Sequence, residues 1–421
     1  MAQHSLFDEL ETQGMDGSAP TKRRRGAPGA GERAAWEAWK ARLLPGFVAP
    51  SCQALAASRL HRSCWWVDGL AAGKSSQSSA GAAFAETADL LAASGFALRG
   101  VRLEWRKPAD KAPDARPDQA EPTNGQRNGR QTSGKVQPSG GEALLPLPRE
   151  DLLAALENAP AILLLNPFAT PPLTAEELLP LCQRQAPTEL LLTISTAQLE
   201  YLAAQGLAGQ PAPAAGVPAL TALLRSDTWK TLWAGPGKSA DKVRRTLEML
   251  RGMLKAHFLY VCVATLDDLP TSAPAPRRLL LFASRQYASV ERLNDFLCAE
   301  QARLAREREA HALQGNWFAR RREMARAAAW AALKEELHTL GRLRRARLWP
   351  DLKPLLVLDH FGQFSAAEHD AALLELLRDG RLACRWSPTA DADAATPAER
   401  VPGPQDFLEF LEARPRPVWR R

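Results

Sequence analysis

CWWVDGLAAGKSSQSSAGAAFAETADLLAASGFALRGVRLEW, residues 64–105, decides the fold class. Cys64 to Asp68 is a short apolar run ending in an acid and small residues, the pattern of a strand feeding a Gly/Ser-rich turn. Ala82 to Ser94 carries Ala and Leu at helical spacing. Ala97 to Trp105 then reads as a second strand. Strand, helix and strand in this order predict a βαβ unit, which pairs its strands in parallel.

Moving outward, residues 106–141 hold almost no large apolar side chain and read as a disordered insertion between strands. The alternation then resumes. Leu144 to Leu147 is a short strand and Arg149 to Asn158 a helix. Ala161 to Leu165 (AILLL) is apolar throughout, as a strand covered on both faces must be. A turn-rich loop, Asn166 to Pro172, precedes a helix over Thr174 to Gln185 and a further buried strand from Glu189 to Ile194. This order predicts an α/β fold with a doubly wound, mostly parallel sheet. Phe258 to Thr265 and Arg278 to Ser284 are the last two strands, and the Pro-rich segment between them is compatible with a hairpin.

Both ends differ from this core. Residues 1–31 are rich in Gly, Pro and charge and read as a disordered tail; a helix follows, with Trp36, Trp39 and Leu43 at helical spacing. Glu291 to Leu340 is long, charged and helical. Leu348 to Phe361 is a helix, and Ser365 with Glu368 three residues on forms a capping box for another that ends at Asp379-Gly380. Arg381 to Trp386 is strand-like. Helix, turn, helix and strand of this size resemble half of a winged helix. The expected organisation is therefore a tail (1–31), an α/β core (32–300), a helical, winged-helix-like module (301–387) and a Pro-rich tail (388–421).

Composition narrows the chemistry. The chain has 421 residues, a hydrophobic share of 45%, enough for a sizeable core, and a net charge of +7. Basic clusters at Lys22 to Arg25, Arg320 to Arg322, Arg342 to Arg347 and Arg414 to Arg421 are compatible with DNA or RNA as a partner and equally with solvated faces. The six cysteines form no CxxC pair, which fits neither a zinc site nor a compact disulfide framework and points to a reducing compartment. No stretch reaches the ~18 apolar residues of a membrane span, and the polar, acidic start is no secretory signal. A cytoplasmic protein without a membrane partner is expected. His360 and His369 have no partner at metal-ligand spacing and are expected at the surface; no metal site is read from the chain.

In doubly wound folds ligands sit beyond the carboxyl ends of the strands. Three segments fall there. Asp68, Gly69, Ala71 and Gly73 belong to a small-residue turn that lets backbone amides approach a ligand ahead of a helix N-terminus; the other reading is an ordinary β-to-α turn. Glu104 ends the second strand, where an acid accepts hydrogen bonds from both ribose hydroxyls of a nucleoside, or is simply solvated beside Arg102 and Arg106. Asn166, Pro167 and Phe168 follow the fourth strand. There an amide and a carbonyl can accept from an exocyclic amine and an aromatic can stack on a base; the alternative is a plain turn.

The order of these segments resembles the three-Cys-motif partner (TcmP) family, a methyltransferase-like group. The residues carrying it are Val67-Asp-Gly-Leu-Ala-Ala-Gly-Lys74, Leu103-Glu104, Asn166-Pro-Phe-Ala169, Leu280-Leu-Phe-Ala-Ser284 and the Val290 to Asp295 stretch. The resemblance implies a Rossmann-like methyltransferase core with S-adenosylmethionine as cofactor. Asp68 and the 69–73 turn would hold the methionine part, Glu104 the ribose, and Asn166-Pro167-Phe168 the acceptor amine. It also implies a radical-SAM-type partner carrying three cysteines. Family glycines are replaced by Ala72, Lys74 and Ala169, and an acid by Asn166, so the implied cofactor binding is either weak or lost. The alternative is a non-catalytic scaffold or nucleic-acid-binding protein that partners another enzyme.

Overall fold

A computed structural model describes residues 30–70, 79–104, 144–169, 171–211, 216–266, 278–311, 315–344, 348–387 and 400–411. Seven strands form one mostly parallel sheet in the order β3-β2-β1-β4-β5-β7-β6. The α/β class expected from the alternating pattern is thereby met. The chain divides into two compact units, one holding the described residues up to Met253 and one those from Leu254 onward. The sequence-based boundary near residue 300 would have left β6 and β7 with the first unit. The expected insertion at 106–141 and all but two residues of the expected N-terminal tail lie outside the described residues; Ala30 and Gly31 already open α1.

In the first unit, β1 (Ser63–Asp68) is central. It pairs in parallel with β2 (Ala97–Glu104) and with β4 (Ala161–Leu165). β3 (Leu145–Pro148) adds to β2, and β5 (Thr188–Ser195) adds to β4, again in parallel. All five residues of β4 are buried, which is why its run of Ala, Ile and Leu never alternates. α1 (Ala30–Leu43) packs against α3 (Ser79–Ala93), and between them in sequence lie one π turn at Leu44–Val48, begun by Pro45, and α2 (Ala49–Ala57). After β3, a 3-10 turn leads into α4 (Leu152–Leu156) and so to β4. α5 (Ala175–Gln183) joins β4 to β5, opened by a Thr174/Glu177 capping box. α6 (Thr196–Leu207), α7 (Ala219–Leu224), α8 (Thr228–Ala234) and α9 (Ser239–Lys255) complete the unit.

One buried cation fastens the end of the sheet opposite the carboxyl edge. Arg184, 7% exposed, donates to the carbonyls of Leu156, Glu157 and Ala159 and to the Thr188 hydroxyl. Glu157 sits at φ 42°, a left-handed backbone that a non-glycine residue adopts only when its surroundings hold it there. Arg184 provides that hold, since three carbonyls converge on one guanidinium.

In the second unit, β6 (Tyr260–Leu266) and β7 (Arg278–Ser284) pair antiparallel, as the hairpin reading allowed. Two long helices follow, α10 (Tyr287–His311) and α11 (Gly315–Arg344), then α12 (Trp349–Asp359) and α13 (Ala366–Arg378). The Ser365/Glu368 capping box is present. A two-stranded antiparallel sheet, β8 (Leu382–Arg385) with β9 (Phe407–Phe410), closes the chain. The segment read as a Pro-rich tail therefore contributes a strand. A Cβ at Gly341 of α11 would come within 2.3 Å of the Phe410 ring, so the missing side chain is what lets β9 pack there. Leu333, Leu337, Trp349, Leu352, Phe364, Leu373 and Leu408 share one core.

The α12–α13 turn is tied to α10 by side chains rather than by apolar packing alone. Asn294, fully buried, accepts from Gly362 N (2.7 Å) and donates to the Phe364 carbonyl (2.8 Å). Asp295 accepts from Ala366 N at 2.7 Å, at the N-terminus of α13, where a carboxylate is favoured. His369, expected at the surface, is fully buried because it lies on the inward face of α13. Its Nδ1 bonds the Ser365 carbonyl at 2.8 Å, while Nε2 is buried with no partner. Burial holds its pKa below the ordinary value of 6.5, with nearby His360 and Lys353 acting the same way and Asp370 opposing them.

Two outcomes are expected from this architecture. Arg184→Met leaves buried carbonyls without a donor and lowers unfolding free energy by about 2–4 kcal/mol, read as a shift in urea midpoint; Thr188→Val costs less. Because the folded pKa of His369 lies below the unfolded one, its neutral form stabilises the fold above 6.5, and this share is lost as pH falls below that value. Urea midpoints at pH 7 and pH 5 test this, and His369→Phe should flatten the difference.

Candidate functional site

The parallel registers place the three segments singled out in the sequence on one edge. Asp68, the last residue of β1, lies opposite Arg102 of β2 and Leu164 of β4. Glu104 and Asn166 each lie two residues further along their strands. Because β2, β1 and β4 are adjacent and parallel, all three residues sit at the carboxyl ends of neighbouring strands. Ala71 and Gly73 lie outside the described residues.

The edge is not uniformly open. Asp68 is 1% exposed, and its carboxylate receives Lys40 Nζ at 2.6 Å and Leu70 N at 3.0 Å. Lys40, itself 1% exposed, also meets Glu37 at 2.5 Å. One buried ammonium thus bridges two carboxylates. Sequence reasoning missed Lys40, although a signal was present: it lies four residues after Trp36 and three before Leu43, on the apolar stripe of α1. A lysine on such a stripe must find a buried anion or lose its charge.

Gly69 is also in use within the fold. Its N–H donates to the Leu164 carbonyl at 2.7 Å, and a Cβ would stand 2.7 Å from Leu165 and 3.0 Å from the Leu164 oxygen. Close approach of β1 to β4 already requires this glycine.

Asn166 forms a turn of the kind its side chain favours. Its Oδ1 accepts from Phe168 N (2.9 Å), and its Nδ2 faces Gln198 Oε1 (3.4 Å). The Pro167 carbonyl accepts from Leu173 N at 2.9 Å. Phe168 is 3% exposed, with its carbonyl taken by Gln198 Nε2. The ring is part of the core and is not displayed for stacking, while the Asn166 and Pro167 oxygens each keep one lone pair. Gln198, at the start of α6, ties this loop to the helix after β5 and was not anticipated. Arg149 fastens the same loop from the 3-10 turn after β3, donating to the Pro171 and Pro172 carbonyls and pairing with Glu177. Burial lowers its pKa to about 10.

Glu104 ends β2 with its side chain exposed. Among the described residues, no group of three or more His, Cys, Asp or Glu is placed to hold a metal, and no helix is long and apolar enough to cross a membrane. No family model, curated protein or solved structure matches this chain.

Removing one partner of a buried ion pair strands the other charge. Lys40→Met is expected to destabilise the protein by about 3–5 kcal/mol. Lys40→Met combined with Asp68→Asn should recover part of that loss, since the buried carboxylate of Asp68 is then gone and only Glu37, 27% exposed, is left without Lys40. Chemical denaturation of the two single variants and the double variant gives the coupling; additive losses would remove Lys40–Asp68 from its place at this edge.

Proposed function

We propose that the chain is a TcmP-like protein with an S-adenosylmethionine-dependent methyltransferase-type fold, whose edge keeps a place for the nucleoside part of the cofactor and whose transfer chemistry is degenerate. The observation that carries this reading is the delivery of Asp68, Glu104 and Asn166 to one edge by adjacent parallel strands. The mostly parallel sheet supports it, since its Rossmann-like strand order, 3-2-1-4-5 with an antiparallel 7-6 pair, is the arrangement such a core would need.

The residues fit the cofactor unequally. Glu104 suits a ribose diol, because an exposed carboxylate at a strand end can accept from two hydroxyls. Asp68 serves the methionine end poorly, since both its oxygens are engaged within the fold. When bound, S-adenosylmethionine supplies an activated methyl group on its sulfonium. The protein's share is positioning. Glu104 holds the sugar. Asn166 and Pro167 present their remaining lone pairs toward an acceptor amine.

A non-catalytic scaffold is the second reading. The internal engagement of Asp68, Asn166, Pro167 and Phe168 favours it. The order helix, helix, helix, strand, strand over α11 to β9 is compatible with the winged-helix-like module expected from the sequence. Yet α13, which would read a groove, is acidic: Glu368, Asp370 and Glu375 pair with Arg326, Lys353 and Lys334. Base-edge reading by that helix is disfavoured.

Calorimetric titration with S-adenosylmethionine and S-adenosylhomocysteine separates the readings. Binding of both is expected, with Glu104→Ala weakening it at least tenfold and Glu104→Gln weakening it less. No heat at millimolar ligand would remove the cofactor and leave the scaffold.

A further inference from the structure

Helix α11 changes character along its length. Toward its C-terminus Leu333 and Leu337 are fully buried in the core it shares with α12 and α13. From Arg320 to Ala328, by contrast, every residue is exposed, about two and a half turns with no buried face. A helix segment of this kind needs another source of stability or a partner. It is braced by Arg322 to Glu309 of α10 (2.7 Å) and by Arg326, which pairs with Glu368, donates to the Gln363 carbonyl (2.8 Å) and lies 4.3 Å from the Phe364 ring centroid.

This stretch carries large apolar side chains in the open. Trp317 is 53% and Met324 70% exposed. Trp317, Arg320, Arg321 and Met324 stand at i, i+3, i+4 and i+7, on one side of the helix. With Ala325 they line a shallow hollow that is largely open to solvent. The Arg321 guanidinium lies 5.4 Å from the Trp317 ring centroid. Arg320 and Arg321 have no carboxylate partner among the described residues, whereas Arg303 pairs with Glu300 and Glu307. Between Arg303 and Arg326 the chain holds seven arginines against three glutamates.

We infer that this hollow on α11 is a docking site for single-stranded nucleic acid, with a base stacked on the Trp317–Arg321 platform and phosphates held by Arg320 and Arg321. The charge excess calls for a polyanion. The aromatic and guanidinium planes call for one that also offers flat π faces, which unpaired bases do and paired ones in a duplex do not. A lipid surface would need a continuous apolar stripe, and here arginines interrupt it. Sequence tolerance follows, since stacking and phosphate contacts read no base edge. The site is independent of the nucleoside edge of the sheet.

Fluorescence anisotropy with labelled twelve-nucleotide oligo-U and oligo-dT, a duplex of the same length and anionic phosphatidylserine vesicles tests it on the full chain. Both single strands are expected to bind more tightly than the duplex. Trp317→Ala should weaken binding about tenfold while Trp317→Phe keeps most of it. Arg320→Ala with Arg321→Ala should reduce the slope of log K against log salt by about 1.4. The paired control Arg244→Ala with Arg251→Ala on α9 should leave binding unchanged. The three substituted positions are exposed, so thermal melting should not move. Absence of oligonucleotide binding at 50 mM salt, as an experimental condition of about that strength, overturns the proposal. So does equal affinity for the duplex, indifference to the Trp317 and Arg320/Arg321 variants, or vesicle binding that alone depends on them.

Discussion

A carboxylate at the end of a buried parallel strand has to be neutralised, and the ammonium of Lys40 does this for Asp68. The requirement is local, but its consequences spread through the first unit. Both side chains are almost wholly buried, so the attraction acts with little screening by water, and the desolvation of each ion is offset by the other, by Glu37 on the Lys40 side and by the Leu70 amide on the Asp68 side. The pair fixes α1 relative to the carboxyl end of β1. It thereby sets which groups at that edge are turned inward and leaves Glu104, one strand away, as the acid presented to solvent.

The same principle of internal satisfaction governs the rest of the edge. The loop after β4 is closed by the Asn166 and Pro167 oxygens, by Gln198 and by Arg149, each answering a backbone or side-chain group that would otherwise be buried unpaired. A ligand arriving here meets a surface already organised for stability. Under the proposed function this edge therefore holds, at most, a nucleoside and carries no complete methyl-transfer constellation.

The second unit uses polar ties differently. Asn294 and Asp295 reach from α10 to the turn before α13, so the helical core is set by a few directional bonds as well as by its leucines. His369 is accommodated there as a neutral ring, which links packing to pH. Acidic side chains on α13 are paired with Arg326, Lys334 and Lys353, while Arg320 and Arg321 on the exposed part of α11 have no carboxylate partner among the described residues. Charge that is absorbed stabilises the module, and charge left over is what remains for a partner.

The sequence by itself determined the layer order. The apolar runs Ala161 to Leu165 and Leu190 to Leu192 fit strands covered on both faces, and the helix between them favours parallel pairing. Adjacent parallel strands then bring Asp68, Glu104 and Asn166 to one edge whatever the details of packing. Ser365 and Glu368 likewise announced the start of α13, because a capping box is a contact within four residues. What only the tertiary structure decided were contacts between distant segments: Lys40 with Asp68, Gln198 with Phe168, Gly341 with Phe410, and the burial of His369. The strand at Phe407 to Phe410 was concealed in the sequence because its partner β8 lies more than twenty residues earlier. Short-range periodicity records which face of an element is apolar, but the identity of the side chain opposite a buried charge depends on how the chain returns upon itself.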